Sequence, residues 1–127
     1  MKKVILAVVV SVALVGCAGP APKKSADLKL GSQPTKEEAM QKISAYLNET
    51  LIDPESARVA CTHLPTPGWV WPGIGSDLQY GYLSLCDVNA KNRYGGYTGA
   101  KRYVFRFNGT EFEHHEVVPK MGLVKDN

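Results

Sequence analysis

Residues 35–118 predict an α+β domain: one N-terminal amphipathic helix packed on a small antiparallel sheet of three or four strands, stapled by one disulfide. Three observations carry this. Apolar residues recur every three or four positions from Ala39 to Leu51, the spacing of one helix face. From Arg58 onward the period falls to two, the spacing of a strand. Asn108-Gly109 then stands between two alternating runs, the mark of a tight hairpin.

The helix opens on Thr35 and Glu38, a Thr-x-x-Glu capping box that satisfies N–H groups of the first turn. Ala39, Met40, Ile43, Tyr46, Leu47 and Leu51 form one apolar stripe, readable as a core face or as a partner groove. Asp53-Pro54 ends the helix, because the residue before proline avoids the α region. Asp53 is placed to cap a further short turn, Pro54-Glu55-Ser56-Ala57, with proline at its first position. Strands are expected at Arg58–Leu64, Leu78–Val88, Lys101–Phe107 and Thr110–Val118. Residues 65–77 and the stretch Asn89–Ala100 read as Pro- and Gly-punctuated loops. The last two strands pair about a type I′ turn at Asn108-Gly109. That register sets Phe105 against Phe112 and Tyr103 against His114 on an aromatic face turned to the helix. On the other face Arg106 meets Glu111 and Val104 meets Glu113. Pro119–Asn127 reads as a frayed tail.

The chain has 127 residues with formal net charge +3, a length that favours one domain. Met1-Lys2-Lys3 is positive, and the uncharged run Val4–Val15 follows it. That run falls short of the ~20 residues of a spanning helix but suits a signal peptide. It ends in Leu14-Val15-Gly16-Cys17, which resembles the lipobox of bacterial lipoproteins. An ordinary secretory signal with an incidental cysteine is the alternative. The resemblance implies a signal peptide over 1–16, with Cys17 diacylated and becoming the mature N-terminus. Two or three acyl chains anchor stably where one does not. Ala18, where many inner-membrane lipoproteins carry Asp, implies the outer membrane, lipid-anchored on its periplasmic face. Residues 17–34 are small, polar and Pro-rich and read as a lipidated N-terminus and flexible tether. Its Lys23 and Lys24 either touch headgroups or stay solvated.

Cleavage removes two of the 15 basic residues, leaving the mature chain almost balanced against 12 acidic ones. No broad basic face remains, so no nucleic-acid partner is expected. With Cys17 acylated, Cys61 and Cys86 remain, and export brings them to an oxidising compartment. A Cys61–Cys86 disulfide is expected, worth ~3.5 kcal/mol in the chain-entropy model. A redox or metal pair is the rival, but the spacing is not Cys-x-x-Cys and no His pair has zinc spacing.

Catalytic signals are weak. His114 and His115 are adjacent, so on a strand they point to opposite faces and cannot converge on one metal with Glu111, Glu113 and Glu116. A solvated charged face opposite Arg106 and Arg102 is expected there. His63 reads as a half-buried strand residue. Ser84 lacks a nucleophile elbow, and Gly95–Lys101 lacks the ending of a phosphate loop. No catalytic residue, metal or cofactor is expected, and the chain reads as non-enzymatic.

The most distinctive stretch is Cys86-Asp87-Val88-Asn89-Ala90-Lys91-Asn92-Arg93-Tyr94-Gly95-Gly96-Tyr97-Thr98-Gly99. Together with Asp53-Pro54-Glu55-Ser56-Ala57 it resembles a functionally uncharacterised family of small exported bacterial proteins. The similarity spans residues 40–107 and implies a fold but no activity. Read as structure, the glycines supply positive φ, Asn89 and Asn92 bond loop carbonyls, and the tyrosines lid the sheet. Read as a site, Tyr94 and Tyr97 stack on a ligand while Lys91, Arg93 and Lys101 hold its acidic groups. Trp69 and Trp71 pose the same choice, between an exposed anchor and a fold-back onto the core. The functional expectation is a non-enzymatic outer-membrane lipoprotein whose periplasmic domain binds an envelope protein or glycan through this loop. A small periplasmic hydrolase or inhibitor, or a passive structural lipoprotein, are the alternatives.

Overall fold

The computed structural model describes residues 21–23, 27–61, 65–116 and 120–124. The helix, α1 (Lys36–Thr50), starts at the capping box: Glu38 N–H donates to the Thr35 hydroxyl at 3.2 Å and Thr35 N–H to the Glu38 carboxylate at 2.9 Å. A 3₁₀ turn follows at Pro54–Ser56 with proline at its start. The Asp53 side chain does not cap it. Instead the Asp53 carbonyl accepts from both the Ser56 N–H and its hydroxyl.

Six strands follow: β1 (Arg58–Cys61), β2 (Thr66–Trp71), β3 (Gln79–Asn89), β4 (Lys101–Asn108), β5 (Glu111–His115) and β6 (Lys120–Leu123). All pairings are antiparallel, in the order β5-β4-β3-β2-β6, with β1 also on β3. The sheet thus exceeds the three or four strands expected. Two are corrections: β2 lies inside the stretch read as a loop, and β6 inside the tail read as frayed. Pairing with other strands overrides the local Pro and Gly signals in both. Pro67 has no N–H to give, but its carbonyl accepts from Val124 at 2.9 Å. Expected strand residues 62–64, His63 among them, and 117–118 lie outside the described residues.

The β4–β5 register is also corrected. Phe107 faces Phe112, Phe105 faces His114, Arg106 faces Glu113 and Val104 faces His115. The turn residues are therefore Gly109-Thr110, between Asn108 and Glu111. Gly109 has φ +60° and no described non-glycine residue has positive φ, the pattern of a II′ turn rather than I′. The slip is by two positions, so every side chain keeps its expected face.

The helix buries Ala39, Ile43 and Leu47 against Cys86, Val88, Tyr103, Phe105 and Phe107, with Met40, Tyr46, Leu51 and Phe112 packed around them. The apolar stripe is therefore a core face. Tyr46 meets the Phe105 and Phe112 rings edge-on at 5.8 and 6.4 Å. The disulfide Cys61–Cys86 joins directly opposed residues of β1 and β3.

Strand connectivity shows that the sheet coils. β5 and β6 lie at opposite edges, yet only residues 116–119 separate them. His115 is level with Leu85 of β3, and Lys120 sits just beyond the level of Gln79. A flat sheet would set them about 30 Å apart, from four strand spacings and the offset along β3. The connection reaches about 17 Å. Coiling of this kind can shelter a face that carries no helix. On that face Val70, Leu83 and Val104 are fully buried beside Leu85 and Met121. Arg106 is 4% exposed there, which corrects its expected place on a solvated surface. Its guanidinium donates to the Tyr80 carbonyl at 2.9 Å and lies 2.8 Å from Glu113 and 3.4 Å from Glu111.

Part of the expected tether touches the sheet. Lys23 N–H donates to the Tyr80 hydroxyl, the Tyr82 hydroxyl donates to the Gly31 carbonyl, and the Gln33 amide donates to the Pro65 carbonyl. Among the described residues no helix is long and apolar enough to cross a membrane.

Candidate functional site

The Gly-rich segment 90–100 leaves the end of β3 as a small hairpin of its own. Lys91 bridges Tyr97, and Asn92 N–H donates to the Gly96 carbonyl at 2.9 Å. The Asn92 side chain sits inside this turn and accepts from Tyr94 N–H at 2.9 Å and Gly96 N–H at 3.2 Å. Asn89 accepts from Gly99 N–H at 3.2 Å. Gly95 and Gly99 take φ of +80° and +101°, where a side chain would be strained. Gly95 and Gly99 thus supply positive φ as expected, whereas Asn89 and Asn92 accept from loop N–H groups where bonds to loop carbonyls were expected.

Ser56 fastens the hairpin to the 3₁₀ turn. Its hydroxyl accepts from Lys91 N–H at 2.9 Å, while its carbonyl accepts from the Tyr97 hydroxyl at 3.0 Å. The Arg58 guanidinium lies 4.2 Å from the Tyr97 ring centroid and the Lys91 ammonium 5.6 Å, both within cation–π range. Tyr97 is thus held by its hydroxyl and flanked by two cations, while 37% of it stays exposed. Tyr94 differs: it is 89% exposed at the tip, next to exposed Arg93.

Between this hairpin, the end of α1 and the start of β4 lies a cleft of about 300 Å³. Leu51, Val88, Ala90 and Tyr103 line it with apolar surface, and Lys91, Lys101 and Glu116 bring charge. Thr50, Ile52, Asn92, Thr98 and Gly99 complete it. Of the residues singled out in the sequence, Lys91 and Lys101 meet at this cleft, while Arg93 and Tyr94 stand at the hairpin tip. Ser56, Arg58 and the α1 end escaped the sequence reading. In the sequence Ser56 reads only as part of a short turn and Arg58 only as the start of a strand, and the fold brings that turn against the hairpin.

Trp69 and Trp71 do not join this site. They lie on β2, level with the beginning of β3, whereas the hairpin leaves its end. The Trp69 indole fills the space where a Cβ on Gly122 would stand. The Trp71 indole N–H donates to the Ser76 carbonyl at 3.0 Å. A second hollow, of about 320 Å³ at the other end of α1, is lined by none of the candidate residues.

The histidines part as their strand positions require. His114 packs on Tyr46 with ring centroids 4.2 Å apart. His115 lies 4.0 Å from Glu113, too far for a hydrogen bond. Burial holds its pKa below the ordinary value despite that carboxylate, so the contact is not an ion pair at neutral pH. Among the described residues no three His, Cys, Asp or Glu side chains gather as metal ligands. No family model, curated protein or solved structure matches the chain.

Proposed function

We propose that the protein is a lipoprotein of the bacterial outer membrane, held by acyl chains on Cys17, whose periplasmic domain binds an acidic envelope partner, protein or glycan, without catalysing a reaction. The observation that carries the binding half is the cleft of about 300 Å³ at Lys91 and Lys101, beside a hairpin that presents Tyr94. The clasp through Ser56 keeps this surface ordered before a partner arrives, which limits the entropy lost on binding. An aromatic ring beside cations over an apolar floor suits a ligand with both flat apolar and acidic parts. The membrane half rests on the lipobox Leu14-Val15-Gly16-Cys17 and the short apolar run before it.

The test of binding is a photo-crosslinking residue at Tyr94 in living cells, with adducts identified by mass spectrometry. One abundant adduct that weakens in a Lys91→Glu/Lys101→Glu background supports the proposal. Correct lipidation and oxidation without any adduct overturns it in favour of a passive structural lipoprotein. Anchoring is tested separately: Cys17→Ser should release the protein from membranes.

A further inference from the structure

The β2–β3 connection, residues 72–78, carries Ile74 at its tip, 96% exposed. Gly73 and Gly75 flank it at φ +150° and +85°, and nothing lies within 4 Å of the position a Cβ would take on either. Yet the connection is fastened: Ser76 N–H donates to the Gly73 carbonyl at 3.1 Å, and the Trp71 indole N–H to the Ser76 carbonyl at 3.0 Å. A fixed loop that holds a bare isoleucine away from the domain has an apolar surface with no partner within the described chain.

The strand ends that carry this connection bear aromatic rings with lysines over them. The Lys120 ammonium lies 5.5 Å from the Trp71 ring centroid, and the Lys23 ammonium 6.0 Å from that of Tyr80. Trp and Tyr rings beside Lys are the side chains that settle at the headgroup level of a bilayer. Asp77, in the same connection, is an opposing charge and is outnumbered. The path of the chain agrees. Lys23 is hydrogen-bonded through its N–H to the Tyr80 hydroxyl at 2.7 Å, and Cys17 is six residues before it in sequence. Those residues reach about 20 Å at most.

We propose that the Ile74 tip is a second membrane contact, inserting into an anionic phospholipid surface beside the acylated N-terminus. This rests on the lipoprotein reading of Cys17. The two contacts together orient the domain. β3 runs from Tyr80 beside the membrane to Asn89 beside the Gly-rich hairpin, about 30 Å in all. Tyr94 and the cleft then face away from the bilayer, toward the periplasmic space.

The experiment uses lipidated full-length protein in vesicles of phosphatidylethanolamine and phosphatidylglycerol, with Ile74→Cys or Tyr94→Cys carrying an environment-sensitive fluorophore. Flotation is measured on the same samples. The expected result is co-flotation of both, with a blue shift and gain of emission at position 74 and none at 94. Co-flotation without a shift at 74 overturns the second contact and leaves the anchor intact. Failure to float overturns the anchoring on which it rests. In unlabelled protein, Ile74→Asp should abolish the quenching of tryptophan emission by brominated lipid while flotation persists. Persistent quenching overturns the tip assignment.

Discussion

The Tyr97 hydroxyl donates to the Ser56 carbonyl across 41 residues of sequence, at 3.0 Å. The same serine's hydroxyl accepts from Lys91 N–H and donates back to the Asp53 carbonyl. One residue therefore ties the turn after α1 to both arms of the Gly-rich hairpin. Ser56→Ala removes two of these bonds, each worth roughly 1 kcal/mol. It should lower unfolding free energy by about 1–2 kcal/mol in urea titration. Faster amide exchange confined to residues 91–97 is expected with it, and exchange raised uniformly across the sheet would contradict a local clasp.

Tyr97→Phe separates the two roles weighed for the loop. Losing the phenol costs the bond to Ser56 while leaving the ring under Arg58. A stability loss of about 0.5–1 kcal/mol is expected, with the Tyr94 adduct yield nearly unchanged. Tyr94→Ala should do the reverse, leaving the denaturation midpoint in place and sharply lowering the adduct yield of a crosslinker placed at the neighbouring Arg93. If the two substitutions behave alike, the division between a fastened Tyr97 and a free Tyr94 is wrong.

The helix, its capping box and the two faces of the β4–β5 hairpin were legible in the sequence because each rests on local spacing, and the disulfide because only two cysteines remain once Cys17 is set aside. What was missed depends on distant pairing. β2 reads Thr-Pro-Gly-Trp-Val-Trp, and nothing local shows that Gly68 faces Leu123 and Gly81. β6 is four residues long, too short for a period to register. Arg106 looked like a surface charge because alternation assigns a face and not a depth. Its burial follows from the sheet's coil together with Glu111 and Glu113. At the site, Lys91 and Lys101 were found by their chemistry. Thr50, Ile52 and Glu116 reach the cleft only through the fold.

Gly81 and Gly122 stand where neighbouring segments leave no room for a side chain. A Cβ on Gly81 would stand 2.6 Å from the Phe107 carbonyl oxygen, which is backbone and cannot rotate away. On Gly122 it would meet the Trp69 indole at 2.7–2.9 Å. Gly81→Ala should destabilise by about 1–3 kcal/mol, the range of core overpacking. Gly109→Ala is a useful contrast: its Cβ would meet nothing within 4 Å, so any loss there comes from the +60° φ alone. Thermal melts of the two variants would show whether close approach or backbone strain costs more.

The Cys61–Cys86 bond closes a separation of 25 residues between β1 and the strand that carries the hairpin. Replacing both cysteines with alanine should lower stability by about 2–4 kcal/mol. The change should loosen β1 first and thereby Arg58, which lies over Tyr97. Free-thiol titration of denatured wild-type protein without reductant should detect neither Cys61 nor Cys86. Reactive thiol at either position would contradict the bond.

His115 gives the fold a pH dependence whose sign is fixed. Burial lowers its folded-state pKa below 6.5, and Arg106 and His114 act in the same direction, against the opposing pull of Glu113. The unfolded chain therefore binds more protons than the folded one between the depressed value and 6.5, so stability rises with pH across that window. Acidifying from pH 7.5 to 5 should lower the urea midpoint, and below the folded pKa the loss from this residue levels off. Asp87 does not confuse the reading. The hydrogen bonds from Arg102, at 2.9 and 3.1 Å, hold its pKa below 3.8, so its contribution is present above that value and fades only in stronger acid. His115→Gln should flatten the slope between pH 5 and 7.5. An undiminished slope in that variant would assign the dependence to another group.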